Sequence, residues 1–393
     1  MVWLGAPPYD RAMRRLLAIA LAMGCGGGSP ATHDGANSGH GDGAPGDTAG
    51  GTGQWVLGYY VGYDEHSLPI ASIDWTSLTH IAFAPMVVKA DLTLDLTFDD
   101  QDGMGMTHAI DLASAAHAHG VAALLMLGGA VAGTNIATAA SSSNRAAFVQ
   151  KLLAALATLG YDGIDLDWED AVNLDSLVAL AAELRAAKPD IVLSYPAGAI
   201  NGNFQSVDAR YAQLATSLDR FMVQTYYPST AVAGQGWDSW FVAPLSGVTG
   251  STPIAADDTL MRYEQAGVPH AKLGIGIGAY AICYTGGISG PRQPTSNAVA
   301  IVGGDNSYPL RLLTVPSGAR QYDTVTQQPY LTFATATADA HCGQAVRYIA
   351  YEDEQSIAAK GTWSKQHGYG GVIVWTIEEL SPATTTALGL AFK

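Results

Sequence analysis

The sequence predicts an α/β protein built as a TIM (β/α)8 barrel, with a small antiparallel α+β insertion between the seventh and eighth strands. From residue 55 onward, eight short apolar runs alternate with helix-like segments, an order typical of parallel β/α units. About 90 residues separate the seventh run from the eighth, which is too long for a simple loop and indicates an inserted unit. A hydrophobic content of 48% in 393 residues allows the large core of such a barrel.

The apolar runs are the predicted strands, and the intervals between them hold the helices. Strands are predicted over residues 55–61, 78–85, 121–129, 162–169, 191–196, 220–228, 271–280 and 370–378. Helices are predicted over 106–119, 143–159, 174–187, 256–266 and 354–368, with Gly120, Gly160 and Gly267 at expected helix ends. The barrel domain is predicted over 55–393 and its rim insertion over 281–345. The active site of such a barrel lies at the carboxyl ends of the strands.

The first 54 residues have the layout of an export signal followed by a tether. Arginines precede an apolar run at 16–24 that is too short to span a bilayer. The run ends at Cys25, which resembles a bacterial lipoprotein signal, so we expect a signal peptide over 1–25, with Met13 as an alternative start. We expect lipidation of Cys25 and an exported protein, either anchored to the outer membrane or secreted. Residues 26–54 are rich in Gly and are predicted to be a disordered linker.

The net charge limits the binding partners of the chain, and its cysteine content limits the possible disulfides. The net charge of −16 and pI near 4.8 argue against a nucleic-acid partner, and we expect a monomer. If Cys25 carries lipid, Cys283 and Cys342 remain as an even pair. In an exported protein a Cys283–Cys342 disulfide is favoured, and two free buried thiols are the alternative. We expect no cofactor and no metal ion.

One short stretch, YDGIDLDWED at 161–170, holds five carboxylates in a chain with only 14% charged residues. In a strand, successive side chains point to opposite faces, so Asp165, Asp167 and Glu169 would share one face. Folding alone does not favour such a row of like charges, which therefore predicts a catalytic strand. A solvated acidic loop or a calcium loop is the alternative, but calcium loops favour Gly, Asn and Asp between their ligands, not apolar residues.

A glycosidase usually places two carboxylates on opposite sides of the scissile bond. The three acids of this strand approach from one side, and no opposite carboxylate is evident in the sequence. Substrate assistance meets the requirement, because the 2-acetamido oxygen of an N-acetylglucosamine can attack its own anomeric carbon while Glu169 protonates the leaving oxygen.

The segment DGIDLDWE at 162–169 resembles the DGxDxDxE signature of glycoside hydrolase family 18, the chitinase family, at every defined position. By that resemblance Glu169 is the acid and later the base, Asp167 stabilises the oxazolinium intermediate, and Asp165 tunes Asp167. Asp162 and Gly163 are then structural members of the motif. A packed row of acids also raises the pKa of at least one member, which suits a proton donor at neutral pH.

Further segments resemble strands of the same family in chain order. The resemblance implies that Tyr226 contacts the acetamido group and that Trp375 forms the floor under the sugar. It also implies sugar contacts from four further residues, Tyr59, Phe83, Gln224 and Tyr227. Two departures bear on the site: Met126 stands where the family usually has a hydroxyl, and Tyr227 stands where an acidic or amide residue usually follows the tyrosine.

The predicted activity is hydrolysis of β-1,4-linked N-acetylglucosamine polymers, with chitin or a related glycan as the partner. An endo-β-N-acetylglucosaminidase acting on glycoprotein or cell-wall glycans is a second hydrolase reading, and the rim insertion favours chitin because it deepens a groove along a linear polymer. A chitinase-like lectin would keep the groove and lose the acid, whereas this chain keeps Glu169. A carboxylate metal site is the remaining alternative.

Overall fold

The computed structural model describes residues 54–200, 206–226, 237–296 and 299–393. Its centre is a closed barrel of eight parallel strands, because the first strand pairs with both the second and the last. This confirms the predicted TIM barrel. In barrel order the strands are β1 (Trp55–Val61), β2 (His80–Val88), β4 (Ala122–Leu127), β5 (Gly163–Asp165), β6 (Val192–Gly198), β7 (Arg220–Gln224), β8 (Leu273–Gly278) and β14 (Gly371–Trp375). A short β3 (Leu94–Asp95) pairs antiparallel with the end of β2.

Helices surround the barrel. The ends of the five predicted helices lie within about two residues of the observed ones, and the helices at 133–139, 210–217 and 382–392 were not predicted. The observed helices are α1 (Gly105–Ala118), α2 (Gly133–Ala139), α3 (Arg145–Leu159), α4 (Leu174–Ala187), α5 (Arg210–Ser217), α6 (Ala256–Gln265), α7 (Glu354–His367) and α8 (Pro382–Phe392). Helix α3 ends at Gly160, which has a left-handed backbone with φ of 78°. Glycine adopts that conformation without the penalty of a Cβ, as predicted for this position.

The alternation of side chains along the strands divides the apolar residues into two layers. Residues such as Tyr60, Phe83 and Ile164 point outward and fill the layer between strands and helices. Residues such as Tyr59 and Met126 belong to the second layer, inside the barrel. The inner layer approaches the carboxyl ends of the strands, where the polar groups of the site lie.

The acidic strand is shorter than predicted. Regular pairing of β5 covers only Gly163–Asp165, although the backbone N–H of Leu166 still donates to Ser194 at 2.8 Å. Beyond that point the N–H of Trp168 donates to the carbonyl of Leu166, so the chain turns away from the sheet. The acidic segment therefore ends as a loop above the barrel mouth.

The interval between β8 and β14 contains the predicted antiparallel unit. Five strands pair in the order β10, β9, β13, β12, β11. Their bounds are β9 (Ile282–Tyr284), β10 (Ile301–Gly303), β11 (Arg320–Asp323), β12 (Gln328–Asp339) and β13 (Gln344–Ala350). A disulfide joins Cys283 to Cys342, whose Cα atoms are 5.8 Å apart. It links β9 to the turn between β12 and β13.

Several predictions concern residues outside the described ranges. The signal peptide, nearly all of the linker, the lipidation residue Cys25 and the predicted sugar contact Tyr227 belong to this group. Gln54, the last residue of the predicted linker, is described, and its side-chain amide donates to Ser364 and to the carbonyl of Tyr369. Among the described residues, no helix has the length and apolar character needed to cross a membrane.

Candidate active site

The three acids predicted to act together lie at the carboxyl end of β5. The side chains of Asp165 and Asp167 are 0% and 1% exposed, whereas Glu169 is exposed to solvent. The row therefore runs from the barrel interior to the surface. Its outer member is the one that a large substrate can reach.

Asp165 is held by two hydroxyl donors from strands that are not adjacent in sequence. Tyr59 of β1 donates to Oδ2 at 2.8 Å, and Ser194 of β6 donates to Oδ1 at 2.7 Å. Burial raises the pKa of Asp165 to about 6, the two hydrogen bonds oppose that rise, and the charge of Glu169 adds to it. Both oxygens of the innermost acid are thus fixed in orientation.

Asp167 lies between the two other acids and is influenced by both. Burial raises its pKa well above the usual value, and the charges of Glu169 and Asp165 and a hydrogen bond to Glu169 raise it further. Carboxyls this close do not all ionise together, so at neutral pH the row retains a proton. Oδ1 of Asp167 is buried and accepts no hydrogen bond from the described residues.

Glu169 is positioned by Gln224, the last residue of β7. The Gln224 side-chain amide donates to Oε1 of Glu169 at 2.8 Å. The sequence predicted Gln224 as a sugar contact, and the structure places it on the acid itself. Because this donor is neutral, Glu169 keeps the capacity to exchange a proton.

Tyr226 and Trp375 complete the pocket. Tyr226 is 8% exposed, and its hydroxyl is buried with no hydrogen-bond partner among the described residues. Burial raises the pKa of Tyr226 well above its usual value, and the charges of Asp167, Glu169 and Asp165 add to the rise, which places this hydroxyl beside the acidic row. Trp375 ends β14 half-buried, with its ring centroid 5.0 Å from that of Tyr59.

Two glycines allow the backbone to approach closely around the row. A Cβ on Gly163 would lie 1.9 Å from the carbonyl oxygen of Val192 on β6. A Cβ on Gly128, at the end of β4, would lie 2.3 Å from the carbonyl oxygen of Asp167, and its φ of 111° also favours glycine. Any side chain at either position would displace the acidic segment.

Asp162 lies at the opposite end of the motif and takes no part in the pocket. Its Oδ2 accepts from the backbone N–H of Ala123 at 2.7 Å and contacts Nε2 of His117 at 2.8 Å. These contacts join the start of β5 to β4 and α1. The geometry is that of a structural residue.

Phe83 does not lie where the sequence predicted, and the expectation of a sugar contact needs correction. Parallel pairing sets Ala82 opposite Tyr59 and Phe83 opposite Tyr60, and paired residues share a face of the sheet. Phe83 therefore points outward, where it is fully buried and stacks on Phe98 with centroids 4.5 Å apart. The inward position of β2 is held by Ala82.

Sequence reasoning missed Ser194. The family hydroxyl expected from β4 is replaced by Met126, which pairs with Asp165 in the sheet and is 2% exposed. On the other side of β5, Ser194 pairs with Asp165 and supplies a hydroxyl from β6. The signal was a single small polar residue in the apolar run IVLSYP, which a strand-by-strand alignment with β5 would have revealed.

The arrangement combines a solvent-facing carboxyl, a buried carboxyl hydrogen-bonded to it, and a half-buried aromatic ring. It can donate a proton to a bound ligand and stabilise positive charge beside the donor. Among the described residues, the His, Asp and Glu groups close enough to share one ion lie around Glu65 and do not include this row.

Comparison with known proteins finds a matching family and relatives that are named chitinases. The model of the family described as "Glycosyl hydrolases family 18" matches residues 56–379. A Caenorhabditis elegans protein named "Probable endochitinase" is 26% identical over 346 residues, which cover 76% of this chain and 51% of that protein. The chain thus spans about half the length of that relative. A class V chitinase from Arabidopsis thaliana is 25% identical over 332 residues, covering 79% of this chain and 82% of that one.

Solved structures agree on the fold. A chitinase-like agglutinin from Robinia pseudoacacia superposes with a TM-score of 0.69 at 21% identity, covering 86% of this chain and 99% of that one. A class V chitinase from Nicotiana tobaccum, solved in complex with NAG4, gives a TM-score of 0.67 at 20% identity and covers 86% and 98% of the two chains. At these identities the likeness bears on the fold alone.

Proposed function

The chain belongs to glycoside hydrolase family 18, and we propose that it hydrolyses chitin and chitooligosaccharides by a retaining, substrate-assisted mechanism. The match over residues 56–379 and the chitinases among its relatives make it a chitinase-like glycoside hydrolase. The substrate, the mechanism and the roles of individual residues are the proposal. They rest on the geometry of the pocket.

One observation carries the proposal. The pocket contains two buried polar atoms that lack partners among the described residues, the acceptor Oδ1 of Asp167 and the hydroxyl of Tyr226. A buried polar group without a partner costs free energy unless a ligand supplies one. A 2-acetamido group offers a matching pair, because its N–H can donate to Asp167 and its carbonyl oxygen can accept from Tyr226. A sugar that lacks this group would leave both atoms unpaired.

The chemistry proceeds in two steps. Glu169 gives its proton to the glycosidic oxygen while the acetamido oxygen attacks the anomeric carbon, so the glycosidic bond breaks and an oxazolinium ion forms. Asp167 accepts a hydrogen bond from the N–H of the oxazolinium ion, and the negative charge of Asp167 stabilises the positive charge of that ion. Glu169 then removes a proton from water, and the water oxygen attacks the anomeric carbon and opens the oxazolinium ring. Two inversions at this carbon give overall retention.

The remaining pocket residues position the sugar and the acid. Trp375 offers an apolar ring as the floor beneath the distorted sugar, and the Tyr59 ring packs beside it at a tilt of 56°. Gln224 holds the carboxyl of Glu169. Asp165, fixed by Tyr59 and Ser194, keeps a negative or shared charge below Asp167 and so tunes its protonation. The Tyr227 contact stays a prediction.

Two substrates test the nucleophile. Substrate assistance requires the acetamido group, so a thiazoline analogue of the oxazolinium ion should inhibit, and fully deacetylated chitosan should not be cleaved. The measurement is release of reducing ends from matched acetylated and deacetylated oligomers. Efficient cleavage of the deacetylated oligomer would show that a second carboxylate acts as nucleophile.

Product analysis separates this proposal from its alternatives. Cleavage of chitooligosaccharides but not of a high-mannose glycopeptide supports a chitinase, and the reverse result supports an endo-β-N-acetylglucosaminidase. A chitinase-like lectin is the third possibility. Binding of chitooligosaccharides without any product would favour it, although the retained Glu169 argues for hydrolysis.

We also propose that the protein is exported and lipidated on Cys25, on the strength of the apolar run that ends at this residue. Mass spectrometry of the N-terminal peptide from the native host would show a mature chain that begins with diacylated Cys25. An unmodified chain that retains residues 1–24 would contradict both parts of this proposal.

A further inference from the structure

Two loops at the barrel mouth bring together a group of metal-ligating side chains that the mechanism does not use. The loop after β1 contributes Glu65 and His66, and the loop and helix after β2 contribute Asp100, Asp102 and His108. The two loops are about 35 residues apart in sequence and meet only in the folded protein. The sequence analysis expected no metal ion, and neither loop alone has the spacing of a metal site.

Three of these side chains are close enough to share one ion, because one ligand atom from each lies within 4.8 Å of the others. Nε2 of His66 is 3.0 Å from Oδ2 of Asp102 and 3.5 Å from Oε1 of Glu65. Ligands about 2.0–2.2 Å from a tetrahedral ion lie about 3.3–3.5 Å from one another. The separation of His66 from Glu65 already fits one ion, whereas the hydrogen bond between His66 and Asp102 would open to admit it.

A second, independent observation concerns Glu65. This carboxylate is only 6% exposed, and its Oε2 is buried with no hydrogen-bond partner among the described residues. Its other oxygen, Oε1, accepts a long bond of 3.3 Å from the backbone N–H of Gln101 and is the oxygen that lies 3.5 Å from His66. A buried carboxylate oxygen without a partner is costly, and a cation bound to the Glu65 carboxylate through both oxygens would offset that cost.

The neighbouring loop is already shaped to present Asp102. Oδ1 of Asp100 accepts from the backbone N–H groups of Asp102 and Met104 at 3.0 and 2.8 Å, and its other oxygen contacts His108. The Asp100 side chain is 0% exposed. These contacts use the hydrogen-bonding capacity of Asp100, so it fixes the loop and leaves Asp102 to face Glu65 and His66.

We propose that Glu65, His66 and Asp102 bind one divalent transition-metal ion of the Zn²⁺ class and thereby pin the loop after β1 to the loop after β2. An imidazole nitrogen together with carboxylate oxygens suits such ions, whereas Ca²⁺ and Mg²⁺ prefer oxygen ligands alone. The role is structural. The ion holds two rim loops at the mouth of the pocket and touches no residue assigned to the acidic row.

Calorimetric titration of the full chain, dialysed against EDTA, tests the site. The titration should show one binding event in which one Zn²⁺ ion binds at this site. Zn²⁺ should also raise the Tm of the protein, because a ligand that binds only the folded state stabilises it. His66→Ala and Asp102→Asn should each weaken this binding more than about tenfold, since even the outer partners of metal ligands affect affinity by 10–100-fold. Both residues are largely exposed, so both variants should fold.

Two controls isolate the triad. His117→Ala removes another exposed histidine that contacts one aspartate, Asp162, and lacks a third ligand; it should leave Zn²⁺ binding unchanged. His33→Ala combined with His40→Ala removes the linker histidines and should also leave this binding event intact. Equal Zn²⁺ affinity in wild type, His66→Ala and Asp102→Asn would overturn the proposal, as would tighter binding of Ca²⁺ than of Zn²⁺ by the wild type.

Discussion

Two sets of buried carboxyls stand at the carboxyl ends of barrel strands, and only one of them has the form of a catalytic centre. The acidic row follows β5 and ends at the exposed Glu169. The second set follows β14 and consists of Glu378 and Glu379, which are 1% and 0% exposed. Burial raises pKa values in both, that of Asp165 to about 6 and that of Glu378 to about 8. A raised pKa therefore does not distinguish them.

The hydrogen-bond partners distinguish the two sets of buried carboxyls. Asp165 is held by the side-chain hydroxyls of Tyr59 and Ser194. Glu378 accepts from the backbone N–H of Val61, and Glu379 accepts from that of Asn306. The second set thus joins β14 to the end of β1 and to the rim insertion, and neither of its carboxyls reaches solvent. A buried acid becomes useful in catalysis when an exposed acid can exchange protons with it.

The comparison of the two carboxyl sets predicts that Glu169→Gln has the largest effect on the rate of hydrolysis. If Glu169 donates the proton, the rate should fall by ~10²–10⁴ or more, because glutamine keeps the shape and cannot transfer a proton. The matched control is Glu378→Gln, which should retain turnover within about threefold. The measurement is kcat on chitooligosaccharides together with circular dichroism. Turnover of Glu169→Gln within tenfold of wild type would remove the distinction between the two sets.

Tyr226→Phe should have the next largest effect. It removes the hydroxyl proposed to hold the acetamido oxygen as the oxazolinium forms, so kcat should fall by about 10²–10³-fold, the range for one lost transition-state donor. Tyr60→Phe is the control, since Tyr60 points outward from the neighbouring position of β1 and donates to Leu68. An equal loss in both variants would mean that the effect on Tyr226 is structural.

Ser194→Ala should change the pH profile more than the maximal rate. The hydrogen bond from Ser194 lowers the pKa of Asp165, so its removal should raise that pKa further. The acidic limb of the kcat/KM profile should then move to higher pH, with a fall in kcat of about tenfold or less. Ser356→Ala, which removes a buried serine from the carboxylate of Glu352 outside the pocket, should leave the limb in place. An unshifted limb in Ser194→Ala would show that Asp165 does not govern it.

The smallest effect on activity, and a clear effect on stability, is expected for Glu378→Gln. The pKa of Glu378 is about 8 in the folded protein against 4.5 without burial. Between these values the folded state keeps a proton that the unfolded chain loses, so the free energy of unfolding falls as pH rises, by at most about 1.4 kcal/mol per pH unit. Urea unfolding at pH 5 and pH 8 should show a smaller difference in Glu378→Gln than in wild type. An identical difference would mean that Glu378 is ionised when folded.

Strong local patterns were predictable from sequence, and relations between strands were not. Eight apolar runs define the barrel, and the DGIDLDWE motif identifies Asp165, Asp167 and Glu169 as one group. The face of Phe83 depends on how β2 pairs with β1, which no local pattern specifies. Ser194 acquires its role only because β6 lies beside β5.

Sites made from distant loops were hidden for the same reason. Glu378 and Glu379 look like ordinary acids after a strand, and their burial follows from closure of the barrel between β14 and β1. Glu65, His66 and Asp102 meet only because the loops after β1 and β2 share the barrel mouth. In each case the missing information is a tertiary contact, whose energy does not depend on neighbours in sequence.

The place where the chain enters the barrel determines how the enzyme faces its substrate when it is held at a surface. Gln54 immediately precedes β1, and its backbone N–H donates to the carbonyl of Phe392 in the last helix at 3.0 Å. Both ends of the barrel domain therefore meet on the face opposite the carboxyl ends of the strands. An attachment through either end, to a lipid layer, a bead or another domain, therefore does not cover the mouth, which stays open to an insoluble polymer.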